Sequence, residues 1–337
     1  GRVIPICPER ACDYTVPVPY GVIGVVSTWN GGLSSVARKA GAALAAGNTV
    51  VVKPMELAPF STLVFGRLAR EAGIPAGVVN VVPGGVAAGE ALVGHPGVDK
   101  ISFTGGIDAA RKVLVGVARH ITPVVLELGG KSGNIVFPDA DLDAAGIFAG
   151  AACMRNSGQG CVMPTRLIVH RDIHAEITER AVRAVEAMPL GDPLDERTLI
   201  GPVVSAPHAD RILGMIAEAR ASASGTLLLG GGRAEAPLAD GHFIAPTILD
   251  EVPPDAAIAQ QEVFGPVLSV ISFADEAEAV ALANGTPYGL AGYVHTRDLQ
   301  RAHRVAAALD AGYVSLNGFA ALPASAPFGG FGLSGYG

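Results

Sequence analysis

Two reactive side chains of this chain stand in settings that are unusual for a folded core. Glu127 lies in VLELGGK (125–131), where it is a single carboxylate between apolar residues, and Cys161 ends the glycine-rich segment NSGQGC (156–161). A thiolate can attack a carbonyl carbon, and a nearby carboxylate can then activate water. The two segments therefore predict nucleophilic catalysis by Cys161, with Glu127 as a general base.

Each of these residues also has a purely structural interpretation. A free cysteine is most often a core residue, which is how we interpret Cys153, and Glu127 could form a salt bridge to Lys131. In favour of catalysis, the bend at 157–160 is expected to expose backbone amides around the Cys161 sulfur, and a helix beginning after it would lower the thiol pKa. The apolar surroundings of Glu127 predict a raised carboxyl pKa. The residues alone leave both interpretations open.

Composition narrows the class of protein. The chain has 337 residues, of which 50% are hydrophobic and 16% charged, and its formal net charge is −7. This length predicts about two domains, and the absence of any block of Lys or Arg argues against nucleic-acid or membrane binding. The four cysteines match neither a disulfide framework nor a zinc site, and we see no leader or apolar spanning run. We therefore expect a cytoplasmic globular protein without a metal.

The elements that must position these residues alternate between short apolar strands and longer helical segments. In the first part of the chain the predicted strands are Val22–Ser27, Thr49–Lys53, Val78–Val82, Val98–Phe103 and Pro123–Leu126, and the predicted helices are Leu33–Ala46, Phe60–Ala72 and Ile107–Arg119. This alternation is typical of a parallel, doubly wound sheet that binds ligands at the carboxyl ends of its strands. Residues 20–128 are therefore predicted to form a Rossmann-like α/β domain.

The alternation restarts after Gly129 and predicts a second α/β domain over residues 129–337. Its predicted strands are Asn134–Phe137, Arg166–His170, Val267–Ser272, Ala291–His295 and Tyr313–Leu316, and its predicted helices are Leu142–Met154, His174–Met188, Glu276–Asn284 and Leu299–Leu309. Residues 191–207 and 225–246 are predicted as loop-rich tracts, and residues 1–19 as an extended hairpin that could serve as an oligomerisation arm. Glu127 and Cys161 would then flank the cleft between the domains.

Other residues at the ends of predicted strands have the chemistry of ligand binding. The amide of Asn30 follows the first strand and could donate to a developing oxyanion, although support of a turn is the commoner role for such a residue. Lys53 and Glu56 follow the second strand, where they could hold the hydroxyls of a ribose or form an ordinary surface ion pair. Gly105 and Gly106 precede a helix and offer a weak signal for a pyrophosphate seat.

The order of the motifs is more specific than any one of them. The matching segments are Thr28–Asn30, Ala45–Pro54, Ile101–Gly105, Leu126–Lys131, Gly158–Cys161, Glu262–Pro266 and Pro327–Gly330. From Tyr20 to Gly337 the chain resembles the NAD(P)-dependent aldehyde dehydrogenase superfamily. The resemblance implies that residues 20–128 bind a dinucleotide and that residues 129–337 form the catalytic domain.

The resemblance also implies a catalytic sequence. Cys161 attacks the aldehyde, the Asn30 amide and the Cys161 backbone N–H hold the oxyanion, and hydride passes to the nicotinamide to leave a thioester. Glu127 then activates the water that releases the carboxylic acid. Gly31, Arg155 and Asn317 fall at the substrate tunnel, with Asn317 ordering the cleft.

For the cofactor, the resemblance implies that Lys53 and Glu56 bind the adenosine ribose and that Glu262 binds the nicotinamide ribose beside Phe264. Glu56 would repel a 2′-phosphate, which favours NAD while leaving NADP open. The full set of implied cofactor residues is Thr28, Trp29, Lys53, Glu56, Gly105, Gly106, Glu262 and Phe264. Family members form homodimers or homotetramers, which makes a homo-oligomer an expectation here.

Three departures from the family pattern bear on the cofactor and the substrate. The usual Gly-Ser-Thr is replaced from Gly105 onward by Gly-Gly-Ile, which removes a hydroxyl from the pyrophosphate site. Gly31-Gly32 replaces an aromatic-Pro pair, and Arg155 stands where an aromatic residue is frequent. Together they suggest a wider, more polar tunnel that could admit a bulky or anionic aldehyde.

Two alternatives to an aldehyde-oxidising enzyme remain open at this stage. The chain is shorter than typical members at both ends, so a truncated and catalytically inactive relative is one alternative. The other is an enzyme that passes the thioester to coenzyme A, against which the water-activating Glu127 argues.

Overall fold

The computed structural model describes residues 1–4, 12–319, 323 and 325–337, and the chain divides into two compact units. The first unit comprises residues 1–104 and 108–125, and the second comprises residues 105–107 and 126–337. Within the described residues, no helix has the length and apolar character needed to cross a membrane, and no group of three or more His, Cys, Asp or Glu could hold a metal ion.

The first unit is built around a parallel sheet of short apolar strands. Its elements in chain order are β1 (Val3–Ile4), β2 (Asp13–Tyr14), β3 (Val22–Val26), α1 (Gly32–Ala45), β4 (Thr49–Lys53), α2 (Phe60–Glu71), β5 (Val79–Val81), α3 (Val86–Val93), β6 (Lys100–Thr104), α4 (Ile107–Ala118) and β7 (Val124–Glu127). The first residue of α4 and the last two residues of β7 belong to the second unit. Neighbouring strands follow the order β6-β3-β4-β5, and each of these pairs is parallel. β1 and β2 form a separate antiparallel pair.

Apolar alternation and glycine stops explain this local structure. Val25, Val50 and Val36 are fully buried, because helix α1 packs its apolar face on strands whose β-branched residues suit a pleated sheet. Gly47 (φ +83°) and Gly73 (φ +82°) follow α1 and α2 in the left-handed conformation that ends a helix. Of the predicted hairpin 1–19, residues 5–11 lie outside the described residues.

The second unit contains a larger sheet with helices on both faces. Its elements in chain order are β8 (Gly133–Val136), α5 (Leu142–Met154), β9 (Arg166–His170), α6 (His174–Glu186), α7 (Ala206–Ala221), β10 (Thr226–Leu229), β11 (Thr247–Asp250), α8 (Ala257–Gln260), β12 (Val267–Phe273), α9 (Glu276–Asn284), β13 (Tyr288–Gly289), β14 (Ala291–His295), α10 (Leu299–Ala308), β15 (Tyr313–Leu316), β16 (Phe331–Gly332) and β17 (Gly335–Tyr336). The strand order is β10-β11-β12-β9-β8-β14-β15. Every neighbouring pair is parallel except β10 with β11.

Alternate residues of the central strands enter two different cores. Leu167 and Val169 of β9 pack with α5 and α6, whereas Ile168 packs with Phe273 and the residues of α9 and α10. Burial on both faces is the expected state of a parallel strand and explains its continuous apolar sequence.

Several elements differ from the predictions. The tract 225–246 contains β10, which is an edge strand of alternating exposure whose glycine-rich continuation favoured a loop interpretation. Helix α7 was not predicted, because its first residues fall in the tract 191–207 that was interpreted as a loop. Ser205 caps the start of α7 by accepting a hydrogen bond from the His208 N–H. The predicted strands and helices also missed α3, α8, β11, β13, β16 and β17, all of them short.

Candidate active site

Cys161 follows a tightly held loop at the end of α5. Asn156 (φ +52°) and Ser157 (φ +56°) are both left-handed, and the Asn156 side chain donates to the Gln159 carbonyl at 2.9 Å. Gly158 lies so close to the Gly265 carbonyl that a Cβ there would approach its oxygen to 2.0 Å. Packing therefore keeps these two residues in a strained left-handed conformation, and the rigid loop fixes the position of the thiol.

The environment of the Cys161 thiol differs from the predicted one. No helix begins after Cys161, because the chain makes a turn there and continues as β9. Burial and the negative charges of Glu262 and Glu127 raise the thiol pKa to about 12, and the nearby backbone N–H groups of Cys161 and Val162 offset only part of this. The expected lowering of the pKa is therefore wrong, and the thiol is protonated at neutral pH in this structure.

Cys153 is a core residue, as predicted. It is fully buried, its sulfur lies 3.4 Å from the Val267 carbonyl, and burial raises its pKa to about 12.

Glu127 is itself the last residue of β7. β7 pairs antiparallel with β17, with Glu127 opposite Gly335, and the backbone that follows is fixed by the fully buried Ser334. The Ser334 hydroxyl donates to the Gly129 carbonyl at 2.7 Å and accepts from the Gly289 N–H at 3.0 Å. Ser334 thus orders the backbone just after Glu127. No sequence pattern indicates this role, because Ser334 is far from Glu127 along the chain.

Glu262 is enclosed by the glycine pair that follows Glu127. Its Oε1 accepts a 2.9 Å hydrogen bond from the Gly130 N–H, and a Cβ on Gly129 would lie 2.1 Å from its Oε2. Burial raises the carboxyl pKa from 4.5 to about 7, although the Gly130 N–H and the charge of Lys131 act in the opposite direction. The glycines are therefore required for the close approach of this carboxylate.

Two buried basic residues, Lys131 and Arg166, adjoin the glycine pair 129–130. Lys131 is 2% exposed, its Nζ has no hydrogen-bond partner among the described residues, and burial lowers its pKa to about 7. This is not the hydrogen-bonded salt bridge to Glu127 that the structural interpretation required. Arg166 donates to the carbonyls of Lys131, Leu282 and Ala283, so it ties the loop to the end of α9. No motif of the sequence points to Arg166.

Residues of the predicted tunnel and ribose site in the second unit have defined contacts. Asn317 (φ +56°) accepts from the Thr296 N–H and donates to the Thr296 carbonyl, each at 3.0 Å. Phe264 (φ +53°) meets the His208 ring edge-on, and its carbonyl lies 2.8 Å from His208 Nε2. The Arg155 guanidinium carbon lies 5.9 Å from the centre of the Phe319 ring.

The predicted cofactor residues of the first unit lie at the ends of β3 and β4. Lys53 is 6% exposed and its Nζ lies 2.9 Å from the Glu56 carboxylate, which holds the pKa of Glu56 below its usual value. Beside Lys53 lies an open, mainly apolar depression of about 360 Å³, also lined by residues of α3 such as Leu92. A buried lysine beside such a surface differs from an ordinary surface ion pair.

The remaining predicted residues sit in two turns. In the turn between β3 and α1, the Thr28 hydroxyl donates to Asn30 Oδ1 at 2.6 Å, Trp29 is partly buried, and Gly31 caps α1. Gly105 and Gly106 directly precede α4, and the Gly105 N–H donates to the Glu127 carbonyl at 3.2 Å.

Comparison with known proteins defines the class. The model of the aldehyde dehydrogenase family matches residues 1–337, and the chain therefore belongs to this family. It is an enzyme of the oxidoreductase class, and its relatives support oxidation of an aldehyde. The predicted α/β fold class is confirmed by structural neighbours with TM-scores above 0.9.

Individual relatives extend beyond the length of this chain. The human 4-trimethylaminobutyraldehyde dehydrogenase is 40% identical over 334 residues, which are 98% of this chain and 67% of the relative. A structure of a Burkholderia cenocepacia protein assigned to the aldehyde dehydrogenases has a TM-score of 0.97 and 44% identity, covering 100% of this chain and 69% of that one. The NAD⁺ complex of a Bacillus cereus aldehyde dehydrogenase has a TM-score of 0.94 and 39% identity, covering 99% and 67%.

Proposed function

We propose that this chain oxidises an aldehyde to a carboxylic acid with NAD, using Cys161 as the nucleophile and Glu127 as the general base. The observation that carries the proposal is the meeting of a rigidly held thiol with two carboxylates, Glu127 and Glu262, whose charges both act on its sulfur. A core cysteine such as Cys153 has no carboxylate of this kind among the causes of its raised pKa.

The raised thiol pKa defines what Glu127 must do first. Because the Cys161 thiol is protonated at neutral pH, attack on the aldehyde requires transfer of its proton to a base, and Glu127 is the proposed acceptor. The Cys161 N–H, which already favours negative charge at the sulfur, donates to the oxyanion of the hemithioacetal. For Asn30 we retain the role implied by the resemblance, donation to the same oxyanion.

NAD, when bound, accepts the hydride that converts the hemithioacetal into a thioester. Glu127 first releases the thiol proton to solvent and can then take a proton from water, whose oxygen attacks the thioester carbonyl. As the carboxylic acid forms, the Cys161 sulfur leaves as a thiolate and takes its proton back from Glu127. Both of its proposed functions need a carboxylate that can gain and lose a proton beside the sulfur.

The residues of each unit fit the parts of NAD proposed for them. In the first unit, the buried Lys53 and its partner Glu56 offer a donor and an acceptor to ribose hydroxyls, and the adjoining apolar depression suits an adenine ring. The Glu56 carboxylate disfavours a 2′-phosphate, which favours NAD over NADP. In the second unit, the Glu262 carboxylate is proposed to accept from the nicotinamide ribose. The Bacillus cereus relative, whose structure is an NAD⁺ complex, supports this cofactor.

The proposal is tested by the formation of NADH from NAD and a panel of aldehydes. Wild-type protein should produce NADH, Cys161→Ala should produce none, and Cys153→Ala is the matched control for loss of a buried thiol. Glu127→Gln should slow turnover by about 10²-fold or more, the range for a general base. Turnover by Cys161→Ala at the wild-type rate would contradict the assignment of the nucleophile.

Product analysis separates the alternatives. Formation of the free acid in the presence of coenzyme A supports hydrolysis, whereas an acyl-coenzyme A product would favour the acylating alternative. No NADH from any aldehyde, together with no NAD binding in calorimetry, would favour the inactive relative.

We also propose a homo-oligomer in a reducing, cytoplasmic environment. Cys12, Cys153 and Cys161 are free thiols, which suits that environment, and sedimentation velocity would measure the assembly.

A further inference from the structure

A row of aromatic contacts leads from the Cys161 loop to an exposed arginine. The buried Tyr293 donates its hydroxyl proton to the Val162 carbonyl at 2.7 Å, directly after Cys161 in the chain. Its ring stacks on Phe319 with centres 6.3 Å apart and planes at 21°. Arg155 then places its guanidinium carbon 5.9 Å from the centre of the Phe319 ring. The row thus joins the nucleophile to a cation at the protein surface.

The cation at the outer end is well placed and has no carboxylate partner. Arg155 begins the turn whose left-handed residues fix the Cys161 loop, so its backbone is held in the same way as that of the thiol. Arg180 pairs with both Asp143 and Glu176, but Arg155 forms no salt bridge among the residues that the structure describes. Its five N–H donors therefore remain available to a carboxylate from solution.

We propose that Arg155 binds a carboxylate at the far end of the substrate, so that the preferred substrates of the proposed oxidation are aldehydes that also carry a carboxylic acid. A planar guanidinium binds a carboxylate through two parallel hydrogen bonds, which sets both its position and its orientation. The methylene groups between the two ends of the substrate pack along the exposed ring of Phe319, which the fully buried Tyr293 supports from behind.

The charges along the row agree with this orientation of the substrate. Glu127 and Glu262 act on the Cys161 sulfur at the inner end, where they repel an anion but leave a neutral aldehyde carbonyl unaffected. Arg155 supplies the opposite charge at the outer end. A substrate with a quaternary ammonium at its far end meets a like charge there and is disfavoured.

The test compares three aldehydes of equal length that end in a carboxylate, a primary amide or a trimethylammonium group. We expect kcat/KM for the carboxylate to exceed that for the amide on the order of tenfold, and the trimethylammonium compound to be the poorest of the three. Added salt should reduce the preference. Arg155→Ala should bring the ratio of carboxylate to amide near one, and Arg155→Lys should restore part of it.

Arg220→Ala provides the matched control. Arg220 is also exposed and lies in the last turn of α7, so its removal changes net charge by the same amount without touching the aromatic row. It should keep the wild-type ratio. Equal kcat/KM for carboxylate and amide in the wild type, or an equal fall for both in Arg155→Ala, would overturn the inference while leaving aldehyde oxidation intact.

A binding measurement decides the matter if no aldehyde is turned over, which would itself contradict the proposed function. Calorimetry on Cys161→Ala protein compares a dicarboxylic acid, the product expected from such a substrate, with its mono-amide. A dicarboxylate that binds about tenfold more tightly, with the advantage lost in Arg155→Ala, supports the role of Arg155. Equal affinities overturn it.

Discussion

Burial of the Glu262 carboxyl is expected to lower the free energy of unfolding at alkaline pH, and this effect can be measured. The glycine pair 129–130 encloses its carboxyl, and burial raises the pKa from 4.5 to about 7 although the Gly130 N–H donates to it at 2.9 Å. Glutamine keeps the shape of the side chain and the acceptor for this N–H, but it carries no charge. We therefore expect Glu262→Gln to stabilise the fold at alkaline pH and to change little at acidic pH.

The sign and the size of this effect follow from the two pKa values. Between 4.5 and about 7 the folded chain holds a proton on Glu262 that the unfolded chain has lost, so the free energy of unfolding falls as pH rises through this window. The full difference corresponds to about 3 kcal/mol. Because the side chain is partly exposed, solvent screening reduces this, and we expect Glu262→Gln to gain about 1 to 3 kcal/mol at pH near 8.

Urea unfolding monitored at acidic and alkaline pH measures the difference directly. Glu235→Gln, which changes an exposed carboxylate to the same amide, is the matched control and should give a difference near zero at both pH values. NAD affinity of Glu262→Gln should fall on the order of tenfold, because a carboxylate contact is replaced by a neutral one. A stability difference that is the same at both pH values would refute the reasoning, since it would mean that the carboxyl does not ionise in this window.

Three further substitutions test the surroundings of the site. Lys131→Met should be more stable than the wild type by on the order of 3 kcal/mol below pH 7, and this difference in stability should shrink toward pH 10. The reason is that burial lowers the lysine pKa to about 7 in the folded chain only. A stability difference that does not depend on pH in urea titrations would contradict this. Arg166→Lys should lower the free energy of unfolding by about 2 to 4 kcal/mol, because an ammonium cannot satisfy all three carbonyls that the guanidinium reaches; an unchanged Tm would count against it. At alkaline pH, where hydroxide rather than Glu127 removes the thiol proton, Glu127→Gln should speed alkylation of Cys161 several-fold, because removing a negative charge lowers the thiol pKa. Peptide mass spectrometry gives the rate, with the exposed Cys12 as internal control, and an unchanged rate would argue against the coupling.

The strands and helices that the sequence predicted well are those whose burial is regular. β9 and α5 match their predicted bounds, because each places a continuous apolar set into a core and ends at a clear polar residue. β10 and α7 were missed for opposite reasons: an edge strand has little burial to signal it, and α7 follows a proline-containing loop that obscures its start. Periodicity reports burial, and elements with weak or masked burial escape it.

The candidate site shows a different limit of sequence reasoning. Residue types and motif order single out Cys161 and Glu127 as candidates, but the residues that hold them come from remote segments. Ser334 reaches the glycine pair through strand pairing at the end of the chain, and Arg166 reaches it through the carbonyls of α9. Neither contact has a local signature, because each depends on which strands become neighbours.

The pKa of Cys161 is the clearest case, and it changes how the pH dependence of the enzyme should be interpreted. A glycine-rich bend suggested an activated thiolate, yet the loop that creates the bend also buries the sulfur beside two carboxylates, and burial is the larger effect. Because burial raises the thiol pKa to about 12, we expect an inflection of kcat/KM near pH 7 to report a group other than Cys161. Glu262 and Lys131, whose pKa values both lie at about 7, are the groups beside the glycine pair 129–130 that change charge there. This agrees with the proposal that the nucleophile is generated by transfer of its proton to a base during the reaction, and it links neutral pH to the carboxylate proposed to hold the cofactor.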